Sequence, residues 1–273
     1  MRARRTKVTL RHRTPTPSDV AAQVLADKGV GSRLPVSLEA LVADEPVDLT
    51  YYDSARRTEG RIELVDGRAA IFVNTRGRGA DHPRSRFTCA HEIGHFYQHR
   101  RLLRAKPFHD SHIDLESKAQ TEREANEFAS EVLLPSKILR ERFNRMRYVD
   151  LDFIVGLADE ANTSLQATAI RVVRRSQDRI CVMLVDETSR VTWVVPSDDW
   201  RELRLPWSGF KGKAVPEQSV AARKPAGNYR EERVDLGAWV PSQWDRDGSI
   251  FESARDTPFG RLIFLGFGDG DDD

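Results

Sequence analysis

The feature that most restricts the fold of this chain is a pair of histidines four residues apart in a segment with helical periodicity. Residues 89–95 read Cys-Ala-His-Glu-Ile-Gly-His, which is the pattern H-E-x-x-H. Four residues advance an α-helix by slightly more than one turn, so His91 and His95 project from one face and can bind one metal ion. Glu92 points about 100° away from His91. The pattern therefore predicts a metal site with Glu92 beside it as a general base.

A catalytic zinc ion needs a third protein ligand and keeps one coordination position open. A second helix, predicted from Ser117 to Leu134, places Glu122 and Asn126 one turn apart on the same face. We predict Glu122 as the third metal ligand. The Asn126 carbonyl is expected to accept a hydrogen bond from a ligand imidazole and so to fix its tautomer. The alternative is that both histidines belong to an ordinary amphipathic helix.

These two segments resemble the ImmA/IrrE family of metallopeptidases. The matching residues are Phe87–His95 and Glu122–Pro135, which occur in the family's order and at a suitable spacing. The resemblance extends over Asp19–Pro135 and weakens through the following helices to Arg175. It implies a zincin-like metallopeptidase domain.

The resemblance also implies an activity and roles for individual residues. His91, His95 and Glu122 match the zinc ligands of a gluzincin-like endopeptidase, and Glu92 matches its general base. The family is known to cleave helix-turn-helix repressors in bacterial stress responses or mobile elements, so such a repressor is the implied substrate. The segment Ile71–Asn74 occupies the place of the family's edge strand beside the cleft, and we expect an extended substrate to lie against it.

Some roles stay open in the sequence. The group that stabilises the oxyanion opposite the zinc is not determined; the candidates are His99, Tyr97, His109, His112 and an arginine. Cys89 is expected to be a small buried hydrophobe, and metal binding or oxidation sensing is its alternative role.

The rival function is a non-catalytic, zinc-containing regulator that binds DNA or protein. A basic arm, Arg2–Arg13, and the helix end with Arg171, Arg174 and Arg175 are the features that favour DNA binding.

Composition limits the class of protein. Hydrophobic residues make up 39% and charged residues 31%, with 43 basic against 42 acidic side chains. No segment has the roughly 18 consecutive apolar residues typical of a membrane-spanning helix, and the balanced charge creates no global attraction for nucleic acid. The two cysteines, Cys89 and Cys181, fit a reducing compartment. We therefore expect a cytoplasmic protein without a membrane partner.

The order of predicted elements indicates an α+β protein. Asp66-Gly67 between two strand-like runs predicts a hairpin, Ser18 is the predicted cap of the first helix, and a short helix is predicted at Val36–Ala43. The last third has strand-like runs at Ile180–Val185, Val191–Val195, Val234–Val240 and Arg261–Phe267, and all five tryptophans, which we assign to its core. The predicted organisation is a basic flexible arm (1–17), the zinc metallopeptidase domain (18–135), a helical, helix-turn-helix-like extension (136–178), a β-rich accessory domain (179–267) and an acidic tail (268–273).

Overall fold

The computed structural model of the protein describes residues 14–65, 68–105, 115–202, 207–223, 228–239 and 249–267. Several of the features predicted from the sequence lie outside these ranges. They are the basic residues 2–13, the Asp66-Gly67 turn, the loop histidines His109 and His112, Trp244 and the acidic tail 268–273.

The first helix, α1 (Pro17–Asp27), begins two residues earlier than a cap at Ser18 would place it. The Thr16 hydroxyl accepts a hydrogen bond from the Asp19 N–H, and the Asp19 carboxylate accepts one from the Thr16 N–H, which forms a capping box. Ser18 as the cap is therefore wrong; its hydroxyl donates to Glu127 instead. The next helix, α2 (Glu39–Val42), is shorter than predicted.

A three-stranded sheet follows, made of β1 (Val47–Tyr52), β2 (Gly60–Val65) and β3 (Arg68–Asn74). Its order is β1-β3-β2, with β3 parallel to β1 and antiparallel to β2, so the predicted β2–β3 hairpin is confirmed. The predicted edge position of Ile71–Asn74 is wrong, because this segment is in the central strand. Residues 69–71 and 73–74 are buried, as is typical of a strand covered on both faces. The edge strand that faces the next helix along the chain, which begins at Pro83, is β2.

Two long helices, α3 (Pro83–Ala105) and α4 (Leu115–Leu133), carry both motifs. They approach closely at Gly94, where a Cβ atom would lie 3.2 Å from the Ala125 Cα and 3.2 Å from the Phe128 Cβ. Pro83 is the first residue of α3, a position that proline tolerates because the first helical turn leaves its backbone N–H groups unpaired. The helices and the sheet share a core that includes Ile71, Ala90, Ile93, Phe128 and Val132.

Three helices follow: α5 (Ser136–Phe143), α6 (Leu151–Ala161) and α7 (Leu165–Arg175). The Asp150 side chain caps α6 by accepting from the Phe153 N–H, and Ser164 caps α7. Asn162 adopts a left-handed conformation (φ 50°) in the turn between them. Asn162 and Ser164 thus supply the turn and the cap between α6 and α7.

The last part of the described chain contains an antiparallel sheet of five strands in the order β5-β4-β8-β7-β6. The strands are β4 (Ile180–Val185), β5 (Val191–Pro196), β6 (Asn228–Asp235), β7 (Ser249–Thr257) and β8 (Gly260–Gly266). Short helices connect them: α8 (Asp198–Glu202), a 3-10 helix (Trp207–Phe210), α9 (Val220–Arg223) and α10 (Leu236–Trp239). The predicted α+β class with a β-rich accessory region is confirmed.

Two details of this sheet differ from the prediction. A strand over Val234–Val240 is wrong, because β6 ends at Asp235 and α10 follows. Strand β7 was not predicted, since Glu252, Arg255 and Asp256 interrupt its apolar pattern. Glu252 is fully buried, and it accepts hydrogen bonds from the Ala221 N–H and the Trp239 indole.

The two faces of β4 and β8 belong to different cores. One face packs with Trp200 and Trp239, which confirms the core assignment of these two tryptophans. The other face packs against α5, α6 and α7 through a core that includes Ile180, Val182, Leu262, Phe264, Ile154 and Val172. None of the helices in the described ranges has the length and apolar character needed to cross a membrane.

Candidate active site

Three ligand atoms converge where α3 meets α4. The Nε2 atoms of His91 and His95 lie 3.1 Å apart. The Glu122 carboxylate is 3.2 Å from the His91 Nε2 and 3.6 Å from the His95 Nε2. A tetrahedral zinc ion with bonds of about 2.0–2.1 Å places its ligand atoms about 3.3–3.4 Å apart. The triangle therefore has the dimensions that such an ion requires.

The protonation of the two histidines also suits a cation. The His91 Nδ1 lies 3.0 Å from the Asn126 Oδ1, which can only accept, so Nδ1 carries the proton and Nε2 presents its lone pair. Burial lowers the pKa of His91, and it lowers the pKa of His95 to about 3. Metal-ligating imidazoles must be neutral. Two neutral imidazoles and a carboxylate that point at one position fit a metal ion.

Glu92 lies next to this group and is 7% exposed. Burial raises its pKa to about 8, and the negative charge of Glu122 adds to the effect. Its carboxyl faces Gly60 of β2, where a Cβ atom would lie only 2.7 Å from the Glu92 Oε1 and 2.5 Å from the Thr88 Cγ2. A side chain at residue 60 would thus occupy the space of the Glu92 carboxyl. No role for Gly60 was predicted from the sequence; a glycine that opens a strand was the available signal.

A cleft of about 480 Å³ connects β2 to the three ligand residues. Its wall on the sheet side is formed by Gly60, Arg61 and Ile62, and on the helix side by Phe87 and Thr88. Glu92 and the metal-ligand group thus line this cleft together with residues of the edge strand β2. The strand that borders the cleft is β2, whereas the sequence had indicated Ile71–Asn74 for this place.

Two candidates for the oxyanion-stabilising group point away from the cleft. The Tyr97 hydroxyl donates to the Leu41 carbonyl at 2.6 Å, and His99 lies on the far side of His95. Arg61 and Arg84 are the arginines among the described residues that line the cleft. Cys89 is fully buried, and burial raises the pKa of its thiol to about 12, so it remains protonated and packs in the core.

The basic end of α7 is only partly buried. Arg171 is buried in an ion pair with Glu131, whereas Arg174 and Arg175 are exposed. Arg175 lines a cavity of about 470 Å³ with Arg140 and Arg147, at the C-terminal ends of α5 and α7. Cations at these ends complement the partial negative charge of the helix dipoles.

The close contact between Gly60 and Glu92 predicts that a side chain at residue 60 will impair catalysis. Replacement of Gly60 by Ala should displace the Glu92 carboxyl and lower kcat about 100-fold, the cost expected of an error of about 1 Å in placing a reacting group. Zinc content should stay at the wild-type level, because the three atoms nearest to the added Cβ belong to Thr88 and Glu92 and not to a ligand residue. Steady-state kinetics and elemental analysis measure both quantities. An unchanged kcat would show that the Glu92 position tolerates the methyl group.

Comparison with known families identifies a metallopeptidase-like domain in the chain. The model of the Peptidase M78 family, described as the IrrE N-terminal-like domain, matches residues 38–173. A solved structure of a Mycobacterium tuberculosis transcriptional regulator superposes with a TM-score of 0.60 at 15% identity, covering 92% of this chain and 75% of that one. At this identity the likeness concerns the fold alone. No curated protein shows significant similarity. Through the IrrE N-terminal-like domain at residues 38–173, the chain belongs to the Peptidase M78 (ImmA/IrrE) family.

Proposed function

We propose that the protein is a zinc-dependent endopeptidase that cleaves a helix-turn-helix transcriptional repressor in the cytoplasm. The observation that carries this proposal is the position of Glu92, a buried carboxyl that borders both the ligand group and the cleft. A structural zinc site is usually closed by four protein ligands and has no need of a base. Here the described residues supply His91, His95 and Glu122, beside an open cleft.

A zinc ion held by His91, His95 and Glu122 would supply Lewis acidity for polarising a peptide carbonyl and for lowering the pKa of water. The residues of the chain provide the proton transfers and the orientation. Glu92 accepts a proton from the attacking water and then delivers it to the amine that leaves. The position of Glu92 suits this double role, since its carboxyl borders both the ligand group and the cleft. The backbone of β2 aligns the substrate through main-chain hydrogen bonds.

The substrate class rests on the resemblance to the ImmA/IrrE family and not on a contact in the structure. The rival function is a non-catalytic regulator that binds DNA or protein. The structural neighbour, a transcriptional regulator, favours this second candidate. Against it stands the burial of Arg171 and of four other residues of the 11-residue helix α7, which leaves less of that helix for a DNA groove.

The test uses the purified, zinc-loaded protein and the helix-turn-helix repressor encoded nearest to its gene. We expect cleavage at one or a few bonds, identified by mass spectrometry, loss of cleavage after zinc removal by a chelator, and recovery when zinc is returned. A gel-shift assay with the DNA upstream of both genes runs in parallel. An intact repressor together with specific retardation of the DNA would contradict the peptidase proposal and support the regulator.

A further inference from the structure

The second ligand histidine is the start of a chain of hydrogen bonds that leads away from the cleft. The Nδ1 of His95 lies 3.0 Å from the Nδ1 of His99. The Nε2 of His99 lies 2.9 Å from the carboxylate of Glu124 on α4. The side chain of His99 is 5% exposed, whereas that of Glu124 is 31% exposed, so the chain runs from the buried ligand to the protein surface.

The carboxylate of Glu124, at the end of this series of hydrogen bonds, determines which nitrogen atoms of His99 and His95 carry a proton. An ionised carboxylate can only accept, so His99 must donate its Nε2–H to Glu124. The Gln120 side-chain amide donates to the other oxygen of Glu124 at 2.7 Å, so both carboxylate oxygens act as acceptors. A neutral His99 then has an acceptor at Nδ1, and His95 must donate its own Nδ1–H to it. The lone pair of His95 is thereby placed on Nε2, the atom that faces His91 and Glu122.

The backbone of α3 is distorted where this chain passes. His99 has φ −112° and ψ 16°, which is outside helical values, in the middle of a 23-residue helix. An ideal helix places residues 95 and 99 one above the other, but it does not by itself bring two ring nitrogens to 3.0 Å in line. The distortion is located at the residue that must contact both His95 and α4.

We propose that His99 and Glu124 are positioning residues that hold His95 in the tautomer and orientation required for metal binding. This inference rests on the proposed function, because it assigns a role within the same metal site. His91 is held by a single residue of α4, Asn126, whereas His95 is held through two residues, His99 and Glu124. Both ligand histidines are thus oriented by the helix that supplies Glu122.

The test measures the zinc dissociation constant by competition with a chromophoric chelator. In His99→Phe, which keeps a ring but removes the acceptor, we expect a 10- to 100-fold weaker affinity, the range reported for loss of such partners. In His99→Asn, the side-chain oxygen can replace Nδ1 as acceptor, and the affinity should return toward the wild-type value. Glu124→Ala should also weaken zinc binding; it alters a partly exposed residue and guards against a folding defect in the His99 variants.

Gln98 provides a matched control on the same helix. Its amide donates to the main-chain oxygen of Glu124 at 3.2 Å, so it also links α3 to α4, but no hydrogen bond joins it to a ligand histidine. Gln98→Leu should leave the zinc affinity unchanged. Equal affinities for wild type, His99→Phe and Glu124→Ala would overturn the inference, and so would equal losses in His99→Phe and Gln98→Leu. If the wild type itself binds no zinc, the proposed metal site fails, which is a different outcome.

Discussion

Replacement of Glu92 by Gln is expected to lower kcat for peptide cleavage by about 100- to 10,000-fold, the usual contribution of a positioned general base. Glutamine has the same shape as glutamate, but it cannot accept the proton of the attacking water. Zinc content should remain at the wild-type level, because Glu92 is not one of the three converging ligand residues. The measurement is the rate of repressor cleavage under saturating substrate, with bound zinc determined by elemental analysis in the same samples.

Glu141 supplies the matched control for this variant. It is an exposed residue of α5 and does not line the cleft, so Glu141→Gln makes the same chemical change without contact to the site. Its rate should equal that of the wild type. If Glu92→Gln, loaded with zinc, cleaves the repressor within a few-fold of the wild-type rate, then Glu92 is not the base and another group must take the proton.

Removal of the Arg171 side chain is expected to lower the free energy of unfolding by about 3–5 kcal/mol, the cost of leaving a buried charge without its partner. Arg171 is 7% exposed. Its guanidinium pairs with Glu131, donates to the Leu134 carbonyl at 3.2 Å and contacts the Ser136 hydroxyl at 3.0 Å. In Arg171→Ala the Glu131 carboxylate stays buried and loses this charge. Urea unfolding followed by circular dichroism measures the loss.

Two further variants separate the ion pair from other effects. Arg174→Ala, on the exposed side of the same helix, should change the free energy of unfolding by no more than about 0.5 kcal/mol. The double variant Arg171→Met with Glu131→Met should be more stable than Arg171→Ala, because an apolar pair leaves no buried charge unpaired. A loss below about 1 kcal/mol in Arg171→Ala would show that water or Arg175 compensates Glu131.

Local geometry explains why the candidate site could be predicted from the sequence. The spacing of His91 and His95 lies within a single helix, so the helical period alone places both side chains on one face. Glu122 and Asn126 have the same one-turn spacing on α4. The packing of α3 against α4 could not be read from local spacing, and it was expected from the resemblance to the ImmA/IrrE family.

Contacts between distant segments explain what could not be predicted. In the order β1-β3-β2, β1 pairs in parallel with β3, although β2 lies between them in the sequence. No local sequence pattern encodes that pairing. The continuous apolar run of β3 was nevertheless a sign of a central strand. Gly60 acquires its role only when β2 lies against α3. The position of His99 behind His95 depends on a distortion of α3 that an ideal helix lacks.

The most direct test of the proposed metal site is anomalous diffraction at the zinc absorption edge from crystals of the zinc-loaded protein. The account predicts one strong peak within about 2.0–2.2 Å of the His91 Nε2, the His95 Nε2 and the Glu122 carboxylate, with the fourth position open to the cleft. A peak closed by a fourth protein ligand would indicate a structural zinc, and a peak at another place, or none, would contradict the site itself.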